Sequence, residues 1–159
     1  MNRVRPLRED EREWVRTVMR DHWAGETVVV HGVIHEPSRL PGFVAIGDAG
    51  DMVGLVTYLI EGASCEIVTI NAFVPHSGHG RAMVDAVVAV ARDAGCTRLW
   101  LITTNDNVRA QAFYRAIGFE VSVVRSGAVV GSRKLKPSIP LVSEDGVPIT
   151  DEVQLERRL

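Results

Sequence analysis

The sequence predicts a single α/β domain built on a mixed, mostly antiparallel central sheet flanked by helices. Three observations carry that expectation. β-rich runs crowd the first half of the chain, strand and helix patterns alternate after residue 64, and no repeat or interdomain linker interrupts them. The 159 residues are a single-domain length, residues 1–159 forming one unit that can bury a core without staples.

Taken in order, a short strand is expected around Arg3 to Arg5, followed by an amphipathic helix in "LREDEREWVRTVMRDHW". There Trp14, Val15, Val18 and Met19 recur at helical spacing and acidic residues crowd the first turn, with Trp14 read as core. "GETVVVHGVIHEP" reads as one extended segment ending at Pro37. "GFVAIGDAGDMVGLVTYLIEG" gives two strands joined through "GDAGD", a hairpin signal. "SCEIVTINAFV" is long and poor in breakers, as a central strand should be.

A helix then places Met83, Val87, Val90 and Ala94 on one face, with Val84, Val88 and Ala91 beside them and Gly95 as its stop. "TRLWLITT" is the next buried strand. "DNVRAQAFYRAIGF" is a helix capped by Asp106 or Asn107, with Ala110, Phe113 and Ile117 inward and Gly118 ending it. "FEVSVVRSG" alternates as a strand. The tail holds a short helical piece, a loop rich in Pro and Gly, and a last strand with Val153 and Leu155 on one face.

Nearly half of the residues are apolar and the net charge is −2, so no basic surplus invites nucleic acid or an anionic membrane. The charged start "MNRVRPLREDERE" lacks the apolar core of a signal peptide, and the longest apolar runs fall short of a membrane span. Cys65 and Cys96 lie in apolar segments and read as buried thiols, which fits a cytoplasmic protein.

The stretch "FVPHSGHGRAMVDAVVAV" places a glycine loop between strand and helix. Gly78 and Gly80 permit a tight turn, and the helix opening there offers unpaired N–H groups and the positive end of its dipole to an anion. A plain turn explains the glycines equally well. The loop is not a nucleoside-triphosphate P-loop, because Arg81 and Ala82 replace Lys and Ser/Thr. It is not a dinucleotide fingerprint either, because Met83 stands where the third glycine belongs.

Downstream, "NDNVRAQAFYRAIGF" sets Asn107, Ala110, Phe113, Tyr114, Gly118 and Phe119 in the pattern N-x-x-A-x-x-F-Y-x-x-x-G-F. With the upstream strand, "GHG" and helix, residues 51–124 resemble the GNAT superfamily of acyl-CoA-dependent N-acyltransferases. Glu66 in "CEIV" looks like the position from which several members offer a general base. One departure stands out: Pro75 occupies a place where the family usually has Gln or Arg.

The resemblance implies a GNAT fold and an enzyme that moves an acetyl group from acetyl-CoA to a primary amine. The amine of a small metabolite or drug is favoured over a protein terminus, and attack is direct, in a ternary complex. Glu66 would accept the amine's proton, or else serve as an ordinary paired strand carboxylate. Backbone donors of a splayed strand, Ile70, Asn71, Ala72 and Phe73, would meet the thioester oxygen. His76, Ser77, Gly78, His79, Gly80, Arg81 and Ala82 would cradle the pyrophosphate, largely through backbone N–H groups. Tyr114 would protonate the leaving thiolate, or simply pack in the core, with Asn107 holding the pantetheine arm from the same helix face.

Trp23, His31 and His35 are expected along the acceptor pocket, and Glu144, Asp145 and Asp151 could attract a cationic amine or form a solvated loop. Alternation puts His31 and His35 on one strand face, but no matching ligands accompany them, so no metal is expected. A homodimer, with the tail strand as contact, is a further family-based expectation. The same fold also admits a non-catalytic acyl-CoA sensor.

Overall fold

The computed structural model describes residues 3–159. Strand β1 (Arg3–Pro6) leads through a single 3-10 turn (Glu9–Glu11) into helix α1 (Arg12–His22). The helix therefore starts later than its acidic pattern suggests. Glu11 explains the turn: its carboxylate accepts the Arg8 N–H at 2.8 Å and pairs with the Arg5 guanidinium, tying β1 to the entry of α1. That Arg5 contact holds the Glu11 carboxyl down to about 2.

The expected extended segment is instead a ribbon of two short antiparallel strands, β2 (Val28–Val30) and β3 (Val33–His35), separate from the main sheet. His31 and Gly32 reverse the chain with φ of 48° and 74°, a left-handed pair of the kind that closes a tight hairpin. His31 therefore sits in the turn and does not share a strand face with His35.

Next come β4 (Gly42–Ile46), β5 (Met52–Glu61), β6 (Ser64–Ala72), α2 (His79–Asp93), β7 (Arg98–Thr104), α3 (Val108–Ala116), β8 (Glu120–Arg125), α4 (Ala128–Leu135) and β9 (Glu152–Arg158). The main sheet has seven strands in the order β1-β4-β5-β6-β7-β9-β8. Only β6 and β7 run parallel, because only they are joined through a crossover helix; the other neighbours are antiparallel.

Both sheet faces are covered. On one, Met83, Val84, Val87, Val88 and Ala91 of α2 pack on Val56, Ile67, Leu99 and Leu155, with Tyr114 of α3 and Phe119 completing the cluster. On the other, Val15, Val18 and Met19 of α1 pack on Val44, Leu55 and Val68. Trp14 borders this second cluster, whereas Ala94, expected inward, is exposed because α2 ends at Asp93 and the chain turns at Gly95 with φ of 84°. Cys65 and Cys96 are both buried free thiols, and burial pushes Cys65 up to about 12.

β9 lies between β7 and β8 and pairs along both edges, so it has no free edge in the sheet. The edge strand on that side is β8, whose Val121, Val123 and Val124 are exposed. No helix among the described residues is long and apolar enough to cross a membrane.

Candidate active site

The site begins with a failure of pairing. β6 and β7 stay in register for three rungs only, from Ser64–Arg98 to Glu66–Trp100. Beyond Glu66 one residue of β6, Val68, bulges against β5, where Thr57 faces Thr69 and Tyr58 faces Ile67. A bulge bends its strand, and here it carries the end of β6 away while β7 remains bound to β9. The wedge opens into a cleft of about 430 Å³ that reaches both faces of the sheet.

Within the wedge, the Phe73 N–H is committed to the Val53 carbonyl at 2.9 Å on β5. Strand alternation turns the Asn71 N–H the same way, which leaves Ile70 and Ala72 to direct their N–H groups into the gap. Two of the four candidate N–H groups, those of Ile70 and Ala72, therefore point away from β5, and of these two residues Ile70 lines the cleft.

The glycine loop borders the α2 face. Gly78 is the N-cap of α2 with φ of 80°, a left-handed conformation that glycine adopts without penalty. Gly80 has a different reason: it lies within the first turn, where a Cβ would stand 3.2 Å from the Phe113 ring. Ala82 spends its N–H on the Gly78 carbonyl at 3.1 Å, so it is not a cradle donor. The helix start instead leaves the N–H groups of Gly78, His79, Gly80 and Arg81 without intrahelical partners. Ser77 organises this approach, donating to the Val74 carbonyl at 2.8 Å while its Oγ lies 2.7 Å from His79 Nδ1. The Oγ also accepts from the His79 N–H at 3.3 Å, and His76 is exposed at a positive φ of 54°. The His79 ring thus belongs to the loop's own structure, and the His76 and Arg81 side chains are exposed beside the backbone donors.

Tyr114 lines the cleft from α3, 6% exposed and set edge-on between the rings of Phe113 and Phe119. Burial raises its phenol well above the ordinary value, so the proton stays on. Asn107 stands two turns earlier on the same face, at the N-cap of α3, but its side chain does not cap. Its Nδ2 donates to Thr103 Oγ1 at 3.1 Å across the cleft rim.

On the α1 face, Trp23 lines the cleft and donates from Nε1 to Asn71 Oδ1 at 2.7 Å. His31 and His35 do not line it. The His31 side chain is exposed on the hairpin turn, and His35 is buried against Glu66, Nε2 to Oε1 3.7 Å. Glu66 itself, 6% exposed, stands at the last paired rung, just below where the wedge opens. Burial, reinforced by the charge of Glu61, raises its carboxyl to about 7, and burial lowers His35, so each is driven towards its neutral form.

Sequence reasoning missed Lys136 and Glu152. Lys136 Nζ donates to the Trp23 carbonyl at 2.6 Å and to that of Thr27, clasping the α1–β2 connection to the end of α4. Glu152, the first residue of β9, lines the cleft at 1% exposure. The acids expected to face a cationic amine lie elsewhere. Glu144 and Asp145 are exposed on a loop, and Asp151 accepts from the Gly127 N–H. Glu152 escaped notice because "EVQLER" alternates polar with apolar, the pattern of a strand with one wet face.

A parallel pair that splays open, a glycine-started helix on one side and a buried tyrosine in the gap define an acyltransferase architecture. The model of the acetyltransferase (GNAT) family matches residues 4–119. The chain belongs to that family. It is 39% identical over 132 residues to the uncharacterized protein YdhI of Bacillus subtilis (strain 168), covering 83% of this chain and 82% of that one. A streptothricin acetyltransferase of Streptomyces lavendulae is 32% identical over 107 residues, 62% of this chain and 57% of that protein. Among solved structures, a Bacillus subtilis acetyltransferase in complex with CoA superimposes with a TM-score of 0.71 at 17% identity, covering 100% of this chain and 99% of that one.

Proposed function

We propose that this protein transfers an acetyl group from acetyl-CoA to the primary amine of a small molecule, in a ternary complex without a covalent enzyme intermediate. The observation that carries this reading is the cleft itself, which passes between β6 and β7 and joins the α2–α3 face to the α1–α4 face. Two reactants can then meet end to end from opposite sides. Its volume of about 430 Å³ suits a small molecule. The family membership, the CoA complex of one structural neighbour and the name of the streptothricin relative support it.

In this reading the N–H groups of Gly78, Gly80 and Arg81 bind the pyrophosphate, and Asn107 meets the pantetheine arm. Ile70 and Ala72 offer N–H groups to the oxygen on which charge gathers as the amine attacks. The amine must first lose its proton. Glu66, ionising near neutrality below the wedge, is the acceptor, and a water relays the proton because its carboxylate stands outside the cleft lining. Tyr114, held protonated by burial, returns a proton to the departing thiolate.

Thermal unfolding with ligands tests the binding half. Acetyl-CoA and CoA should each raise the midpoint, and ATP and NAD should not. Release of CoA thiol over a panel of amines tests the chemistry. No shift at millimolar acetyl-CoA would sink the reading, and a shift without thiol release on any amine would leave a sensor in its place.

A further inference from the structure

Glu152 is the unexplained group in the cleft. It is 1% exposed, yet it belongs to the cavity lining, and its two oxygens are treated differently. Oε2 accepts the His31 N–H at 2.8 Å, which fixes the carboxylate against the β2–β3 turn. Among the described residues, Oε1 has no hydrogen-bond partner, and Glu152 joins no ion pair. A buried acceptor left empty is costly unless something completes it.

The cations on this side do not complete it. Lys136 Nζ is held by two backbone carbonyls. Arg125 stands directly opposite Glu152 in the β8–β9 ladder and donates from Nη2 to Gln154 Oε1 at 2.8 Å; among the described residues its Nη1 is also buried without a partner, yet it forms no ion pair with Glu152. The cleft wall carries Val28, Val30, Val129, Ile139 and Ile149, which cannot donate a side-chain hydrogen bond, beside Thr104 and Ser132, whose hydroxyls donate to Asp106 and to the Ala128 carbonyl. The site is thus one buried, oriented, half-satisfied carboxylate bordering an apolar wall.

We propose that Glu152 is the acceptor-recognition residue and binds the ammonium group of a cationic amine whose apolar body lies along the valine and isoleucine wall. The assignment deepens the acyl-transfer reading and rests on it for the word acceptor. An ammonium supplies the donor that Oε1 lacks and a charge that a neutral isostere does not. Specificity follows from the same asymmetry. A neutral or anionic ligand of equal shape leaves Oε1 unpaired or repels it, so discrimination arises against the wrong ligand as much as for the right one.

Equilibrium binding separates this proposal from the catalytic reading. Hexylamine, 1-hexanol and hexanoate are titrated into the CoA-loaded protein at neutral pH by calorimetry, with no turnover required. Wild type should bind the ammonium about tenfold or more tighter than the alcohol, and hexanoate weakest. Glu152→Gln should erase that order while keeping CoA binding, since a Gln carbonyl can still accept the His31 N–H. Equal binding of hexylamine and hexanol by wild type would overturn the proposal, as would an ammonium preference that survives in Glu152→Gln. The wild-type comparison stands even if the variant fails to fold. Ammonium preference without CoA thiol release would instead sink the acyl-transfer reading and leave the amine site in place.

Discussion

The two walls of the cleft are made by different means. The wall facing α2 and α3 is assembled within about fifty residues of chain, and its polar groups are mostly backbone N–H groups aimed by a bulge, a left-handed glycine and a helix start. The opposite wall is assembled across the chain. Lys136 reaches Trp23 over 113 positions, and Glu152 receives His31 over 121. A backbone-built wall tolerates side-chain change but not a change of conformation, whereas a wall of long-range side-chain contacts has the opposite sensitivity.

That contrast can be broken or sharpened by substitution. Between the walls, Tyr114→Phe should lower kcat by about 100-fold while the stabilisation by acetyl-CoA persists. Equal loss of both would reduce Tyr114 to a packing residue and erase the boundary.

Glu66→Gln should act through pH. Because the folded carboxyl ionises at about 7 instead of 4.5, wild type loses stability as pH climbs between those values. The Gln variant should match wild type below pH 4.5 and gain about 2–3 kcal/mol above pH 7 in denaturant titrations. A constant difference at all pH values would mean that the burial of Glu66 does not govern its ionisation. The rise of turnover through neutrality should vanish in the same variant.

On the α1 side, Lys136→Met strips the donor from two carbonyls and should cost about 2 kcal/mol. The Michaelis constant for the amine should rise with it, and that for acetyl-CoA should not. On the α2 side, Gly78→Ala forces a Cβ into a left-handed backbone and should cost about 1 kcal/mol. Its kinetic effect should fall on acetyl-CoA alone, so crossed effects in this last pair would dissolve the division into two walls.

The same contrast explains what could be read in the chain before its fold. Strand, "GHG", helix and N-x-x-A-x-x-F-Y are local patterns, so the α2–α3 wall and Tyr114 were legible with their positions nearly right. Details that depend on neighbours were not. Gly80 answers to Phe113, thirty-three positions on, and the Ala82 N–H is absorbed by the helix it begins. The wall on the α1 side was mostly illegible, because His31 and His35 read as one strand until a turn separates them, and Glu152 reads as a wet strand residue until the β2–β3 turn and α4 cover it. Trp23 does line the cleft, and that expectation rests on the layout of the family the chain resembles, not on any pattern in its own residues.

The placement of β9 also sets a schedule for synthesis. β8 has no partner in the sheet other than β9, and β7 has β9 on its far side, so residues 152–158 complete both strands at once. While a ribosome is still making the preceding loop, the nascent chain can close β1 to β7 but must leave the β8 segment waiting with its backbone unpaired. Protection by a chaperone should therefore matter most in that interval, and release should coincide with the arrival of one short strand.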